Sequence, residues 1–481
     1  MSGRMTAKDT RARHVRGGAR PNPDHAEAIA AHATPLGYPG TAIHDRTRAP
    51  KMIVARPRSL VMGAYIAFAL CVGTLLLVHG LGRINTVVPQ RPVYDLVVDW
   101  QGARAFVEGF NPYSVEGQAR AKLTKTGNGH PPTTPFWMIP LAGFDLPVAR
   151  QVLLQLNLLL LLIELALIAH ELRAPAPWPT AWLGLGLVMS CDWVDYLFYI
   201  GQISQLIAFA YFLAWYSLRR GWDVRAGLAI GAACTMKAYP GVMLLLLLLG
   251  RRWRSLAAAG ALYVVIATIM TIRFGVASWS QYATQLNGVA DQWMASIQNQ
   301  AIHGFVLRFF QPTCRPRGPM VPVATVISTV GAFALLAGAA WLSRRAARTR
   351  ERIDLPFALA AVLSVFTSNW AWEHYNVIYI LPIAIVAGTL PRMVDWPRAR
   401  IWIAGVGALL LATAATLAVP MMEKARLQAE YLKHPELHPR LHVFEAFNMV
   451  PVLALTIALG LLLWTTERRT NAPVAPVAPA S

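Results

Sequence analysis

The chain has 481 residues, 55% hydrophobic and 14% charged, with a mean hydropathy of +0.41. Soluble domains carry about 25% charged residues, so these values exclude a cytosolic two-domain enzyme and point to a polytopic membrane protein. The net charge of +20 comes from basic residues set between apolar runs, so it reads as membrane topology rather than as a nucleic-acid surface.

Residues 1–58 are polar, with no apolar periodicity, and read as a disordered basic tail. The first long apolar run, Leu60 to Leu81, starts too late for a signal peptide. Runs near the length of a membrane crossing follow at Leu153–Ala169, Ala181–Tyr196, Ile203–Leu218, Ala226–Leu249, Leu256–Ile272, Val321–Leu342, Leu355–Phe366, Val377–Leu390, Ile401–Val419 and Val450–Trp464. Basic clusters at Arg219–Arg220, Arg251–Arg254, Arg344–Arg352, Arg392–Arg400 and Arg468–Arg469 belong on the cytoplasmic side. Residues 226–249 have such clusters at both ends yet can cross only once. A re-entrant hairpin turning at Lys237-Ala238-Tyr239-Pro240 resolves this, because Pro240 breaks the helix. The expected architecture is all-α, with about ten crossings plus the hairpin and both termini cytoplasmic. The membrane domain covers 59–466, with outer loops at 82–148, 275–320 and 421–447, and 467–481 form a second tail.

Four scattered cysteines show no CxxC pair, so no zinc or redox framework is visible, and Cys71 and Cys234 read as small core residues. No GxxxxGK motif is present.

The residues able to carry chemistry lie in outer loops or at outer helix ends. Asp95 and Asp99 are four apart and share a helix face, as a catalytic base and its partner would, although either can cap a helix. His130-Pro131-Pro132 reads as a rigid loop. Gln202 and Gln205 can bind sugar hydroxyls or join helices. Lys237, a lysine inside an apolar run, is a functional-site residue by default and can hold a phosphate, unless it pairs with a carboxylate such as Asp192 or Asp195. Glu373-His374 and Asn299-Gln300 complete a set suited to a lipid-linked phosphate and a polar substrate.

These residues carry a resemblance. Asp95 is followed by Tyr113 in Gly109-Phe110-Asn111-Pro112-Tyr113; then come His130-Pro131-Pro132, Gly201-Gln202, Lys237-Ala238-Tyr239-Pro240, Asn299-Gln300 and Trp372-Glu373-His374-Tyr375. In this order the chain resembles the family 87 membrane glycosyltransferases of the GT-C fold, which use polyprenyl-phosphate mannose. It departs from the family pattern at His130, where a Tyr is usual, at Asp99, where an aromatic residue is common, at Ala301 and at Tyr375. The resemblance implies a plasma-membrane enzyme with an extracytoplasmic site. It would transfer a sugar, mannose by family habit, from a polyprenyl-phosphate donor to a lipid or glycan acceptor with inversion. Asp95 would be the general base and Asp99 the second choice. Lys237, His374 and Arg104 would bind the donor phosphate, and Gln202, Asn299, Gln300, Glu373 and Tyr113 the substrates. No metal or other cofactor is implied. A secondary transporter or lipid flippase using Lys237 as an intramembrane charge is the alternative, but it predicts internal repeats that are not visible. A structural envelope subunit is a third reading.

Overall fold

The computed structural model describes residues 57–87, 94–123, 129–296, 299–310, 321–393, 400–401, 403–409 and 452–466. Both tails and the third outer loop, 421–447, lie outside the described residues, as does most of the Ile401–Val419 run.

Helices dominate the described chain, in the order α1 (Pro57–Val87), α2 (Tyr94–Glu108), α3 (Val115–Arg120), α4 (Leu146–Glu171), α5 (Pro177–Met189), α6 (Asp192–Ile200), α7 (Ser204–Arg220), α8 (Asp223–Met236), α9 (Val242–Leu249), α10 (Trp253–Phe274), α11 (Ala277–Trp293), α12 (Ile302–Phe310), α13 (Val321–Ser343), α14 (Asp354–Phe366) and α15 (Ile380–Thr389). Short 3-10 segments occupy Thr134–Leu141, Tyr239–Gly241 and Glu373–Tyr379. Local chemistry sets several boundaries. Asp145 accepts the Val148 N–H at 3.1 Å to start α4, and Gly201 and Gly221, both left-handed, end α6 and α7.

Among the described residues, four helices are long and apolar enough to cross a membrane: α1, α4, α10 and α13. Large apolar side chains on α1, α10 and α13, among them Leu75, Val264 and Phe333, stand exposed, as lipid contact requires. Cys71 belongs to this exposed surface and not to the core.

The expected run of full-length crossings is corrected in two places. Ala181–Tyr196 divides into α5 and α6, bent by 77°. The runs at Leu355–Phe366 and Val377–Leu390 form helices of 13 and 10 residues, below the span of a bilayer. For α14 the physical reason is burial. Apart from its terminal Asp354 and half-buried Ala360, α14 is buried all round, so it meets protein and has no hydrocarbon thickness to match.

The hairpin expected at 226–249 is present. Arg252, just past α9, donates to Asp223, at the start of α8, at 3.2 Å, so the two ends of the segment return to one place. α8 lies against α10 through Gly227 and Gly231, one turn apart, which face Ser255 and Ala259. A Cβ on Gly231 would stand 2.9 Å from the Ala259 Cα, so only glycine permits this approach. The helix breaks at Lys237, whose backbone is extended. The carbonyl of Met236, with no helical partner there, accepts the Thr134 hydroxyl at 2.7 Å, and Trp137 donates to Thr235 at 3.0 Å. The first loop is thereby bolted to the hairpin tip.

Charge sorts the bundle into two ends. Arg220 pairs with Glu171 at 2.5 Å, Arg219 with Asp354 at 3.6 Å, and Arg252 with Asp223. These pairs gather the same ends of α4, α7, α8 and α14. The opposite ends of those helices meet α2 and the turn at 367–379, and there the polar residues converge.

Candidate functional site

α2 carries both acidic residues, and neither caps it: Asp95 lies in its first turn and Asp99 a full turn inside. The far end of α2 is fastened by Arg273 of α10, which donates to the carbonyls of Phe106 and, at 2.6 Å, Val107. Gly201, with φ +70, allows the turn into α7 to lie against Leu96, so Gln202 reaches Asp95. Any Cβ at Gly201 would come within 2.6 Å of the Leu96 Cβ.

Gln202 is the hinge of the site. Its Nε2 donates to Asp95, and its Oε1 accepts the Lys237 ammonium at 2.7 Å. Lys237 also donates to the Tyr375 hydroxyl at 3.1 Å and stands 4.5 Å from the centre of that ring. One amide thus joins the carboxylate of the first loop to the cation of the hairpin tip. Lys237 is 4% exposed; of the two acids named for it, Asp195 takes Arg83 at 3.1 Å, and the side chain of Asp192 lies outside the described residues.

His374 stands against the Tyr375 ring at 4.6 Å and the Tyr196 ring at 5.5 Å. It is 1% exposed, and neither ring nitrogen has a hydrogen-bond partner among the described residues. A buried imidazole in that condition is suited to meeting a ligand oxygen. Glu373 is buried beside it, at the head of the same 3-10 turn.

Burial pushes the Asp95 carboxyl above the usual carboxylate range, while the charges of His130 and Lys237 and the Gln202 amide pull it partly back. A base held in this way is ionised over the upper part of its range and remains basic enough to take a proton.

The other predicted residues are placed differently. Arg104 is exposed, pairs with Glu108 at 3.2 Å and does not join the cluster. Tyr113 is a brace: buried against Phe274 and Tyr282, it donates its hydroxyl to the His130 carbonyl at 3.0 Å. Gln300 donates its backbone N–H to Ala371 at 2.7 Å. Asn299 is a staple. Its amide donates to the carbonyls of Met294 and Asn369 at 2.9 and 3.0 Å and accepts the N–H groups of Ala301 and Ala371 at 3.1 and 2.9 Å. Asn299→Ala removes all four bonds, and at ~1 kcal/mol each it is expected to lower stability by about 4 kcal/mol. A clear drop in the thermal unfolding midpoint of the purified protein checks this; an unchanged midpoint refutes the staple.

Three side chains were not singled out from the sequence. Asn157 and Glu164, two turns apart on α4, are buried within the bundle. Asn157 donates to the Gln202 carbonyl at 3.1 Å, and Gln205 donates to Glu164 at 2.8 Å. The start of α7, and Gln202 with it, is anchored by these bonds. Glu164 carried the same signal as Lys237, an ionisable residue inside an apolar run. Tyr375, the third, was noted only as a departure.

Comparison with known proteins adds the following. Residues 129–369 match the model of glycosyltransferase family 87. A polyprenol-phosphate-mannose-dependent alpha-(1-2)-phosphatidylinositol mannoside mannosyltransferase of Mycolicibacterium smegmatis is 24% identical over 436 residues, which cover 83% of this chain and 90% of that protein. The protein of the same description from Mycobacterium tuberculosis is 25% identical over 331 residues, 64% of this chain and 72% of its own length. A pentamannoside mannosyltransferase of M. smegmatis is 28% identical over 239 residues, 48% of this chain and 54% of its own.

Proposed function

Because the chain belongs to glycosyltransferase family 87, we propose that it transfers mannose from a polyprenyl-phosphate donor to a glycolipid acceptor of the phosphatidylinositol-mannoside kind, at the outer face of the plasma membrane. Membership of that family sets aside the transporter and structural-subunit readings. Donor and acceptor follow the names of its relatives. The outer face is supported by the gathering of paired arginines at the opposite end of the bundle.

Asp95 removes the proton from the acceptor hydroxyl. That oxygen bonds to the anomeric carbon as the bond from carbon to the lipid phosphate breaks, with inversion. A phosphate needs no general acid to leave, but its growing charge needs compensation. Lys237 supplies a cation and His374 an unengaged imidazole. Substrate entry exchanges the Gln202 contacts for contacts to the sugar and phosphate. The observation that carries this reading is the single amide of Gln202 spanning Asp95 and Lys237, which sets a base and a phosphate-seeking cation one side chain apart.

The test uses membranes containing the full chain, radiolabelled polyprenyl-phosphate mannose and a phosphatidylinositol mannoside. Label is expected in the acceptor, with the anomeric configuration opposite to that of the donor. No transfer from this donor to any lipid or glycan acceptor overturns the reading.

A further inference from the structure

The proposed transfer leaves one buried contact at the site without a task. Asp99 lies one turn along α2 from Asp95 and is wholly buried. Its Oδ1 meets Nδ1 of His130 at 2.6 Å, and its Oδ2 has no hydrogen-bond partner among the described residues. A buried carboxylate is costly unless a cation or several donors compensate it. His130 is the one hydrogen-bond partner of this carboxylate among the described residues.

The backbone at His130 is placed from two directions. Tyr113 holds its carbonyl, and Pro131 and Pro132 restrict the chain that follows. His130 keeps 17% of its side-chain surface open to solvent, against 1% for that of Asp99. The other ionisable groups at the site come from every element packed there: Asp95 from α2, Lys237 from the hairpin tip, Glu373, His374 and Tyr375 from the 3-10 turn, Tyr196 from α6, and Tyr113 from the first loop. Of the charges acting on Asp95, that of His130 is the strongest, ahead of Lys237, and Asp99 acts in the opposite sense.

We propose that Asp99 and His130 serve Asp95 as a pair, Asp99 fixing the ring so that its imidazolium charge stands beside the base and keeps it anionic. His130 is then a positioning residue acting through Asp95. This rests on the reading of Asp95 as the base.

The sign follows directly. Taking away the imidazolium removes an attraction that favours the charged carboxylate, so Asp95 holds its proton to higher pH. The acid limb of kcat/KM moves upward, by roughly one pH unit for an opposite charge at close range, which is about tenfold in rate on the limb.

The experiment is the pH profile of mannosyl transfer by the wild type, His130→Gln and His130→Lys. The acid limb is expected to rise in His130→Gln and to return in His130→Lys, which restores a cation. A limb that stays in place in His130→Gln, including one where all rates fall by a common factor, overturns the proposal. A second measurement does not depend on turnover. The carboxylic C=O stretch lost in Asp95→Asn is followed by infrared titration, and its midpoint is expected to rise in His130→Gln. An unmoved midpoint overturns the pair. Absence of transfer by the wild type would defeat the proposed function instead, and the infrared titration would still decide the pair.

Discussion

Asp95→Asn is expected to abolish most mannosyl transfer, with kcat lowered about 10³-fold, inside the roughly 10²–10⁴-fold range that a positioned general base contributes. The substitution is close to isosteric, and the Asn oxygen can still accept from Gln202, so the bundle should stay folded. What is lost is the capacity to take a proton. Two measurements check this together: transfer from labelled donor at saturating substrate, and the thermal unfolding midpoint, which should barely move. The wild-type rate should rise with pH through the titration of Asp95, because only the ionised carboxylate accepts the proton and burial has raised that titration. Full retention of transfer in Asp95→Asn would remove this residue from the reaction.

Lys237→Met is the second large effect. Methionine fills most of the same volume but brings no charge. A preorganised charge aimed at a developing anion is worth on the order of 10²–10³-fold, so kcat/KM for the donor should fall by about that factor. Lys237→Arg should recover little of it, because a planar fork cannot reproduce an ammonium that meets Gln202 at 2.7 Å and Tyr375 at 3.1 Å. Unchanged donor kinetics in Lys237→Met would show that the ammonium serves the fold and not the leaving phosphate.

Different physical signals made different parts of this molecule legible in the sequence. The hairpin was legible because charge placed at both ends of one apolar run admits few topologies, and the ion pair of Arg252 with Asp223 closes it as expected. Lys237 and Asp95 stood out because ionisable groups beside or inside apolar runs are expensive. Gln202 and Gln205 could not be told apart: identical amides three positions apart differ only in what lies opposite, Asp95 and Lys237 for one and Glu164 for the other. Asn299 resembled a substrate ligand because a polar loop side chain looks the same whether it meets a sugar or four backbone groups. The Asp99–His130 contact joins residues 31 positions apart through a loop, and no periodicity reports such a meeting. In the sequence Asp99 reads as a second candidate base and His130 as part of a rigid loop, and the fold makes them one feature. The surroundings of α14 are not legible for a related reason, since hydropathy does not distinguish a helix sheathed in lipid from one sheathed in protein.

The bolt between Thr134 and Met236 joins points 102 residues apart, and that separation bears on biogenesis. A ribosome delivers the first loop long before the tip that secures it. During synthesis the loop must therefore wait, unlatched, until the chain past Pro240 has entered the bilayer. Even then the site is incomplete until His374 and Tyr375 follow, and a nascent chain stopped before Pro240 would carry the acids of α2 with nothing to hold them to the cation.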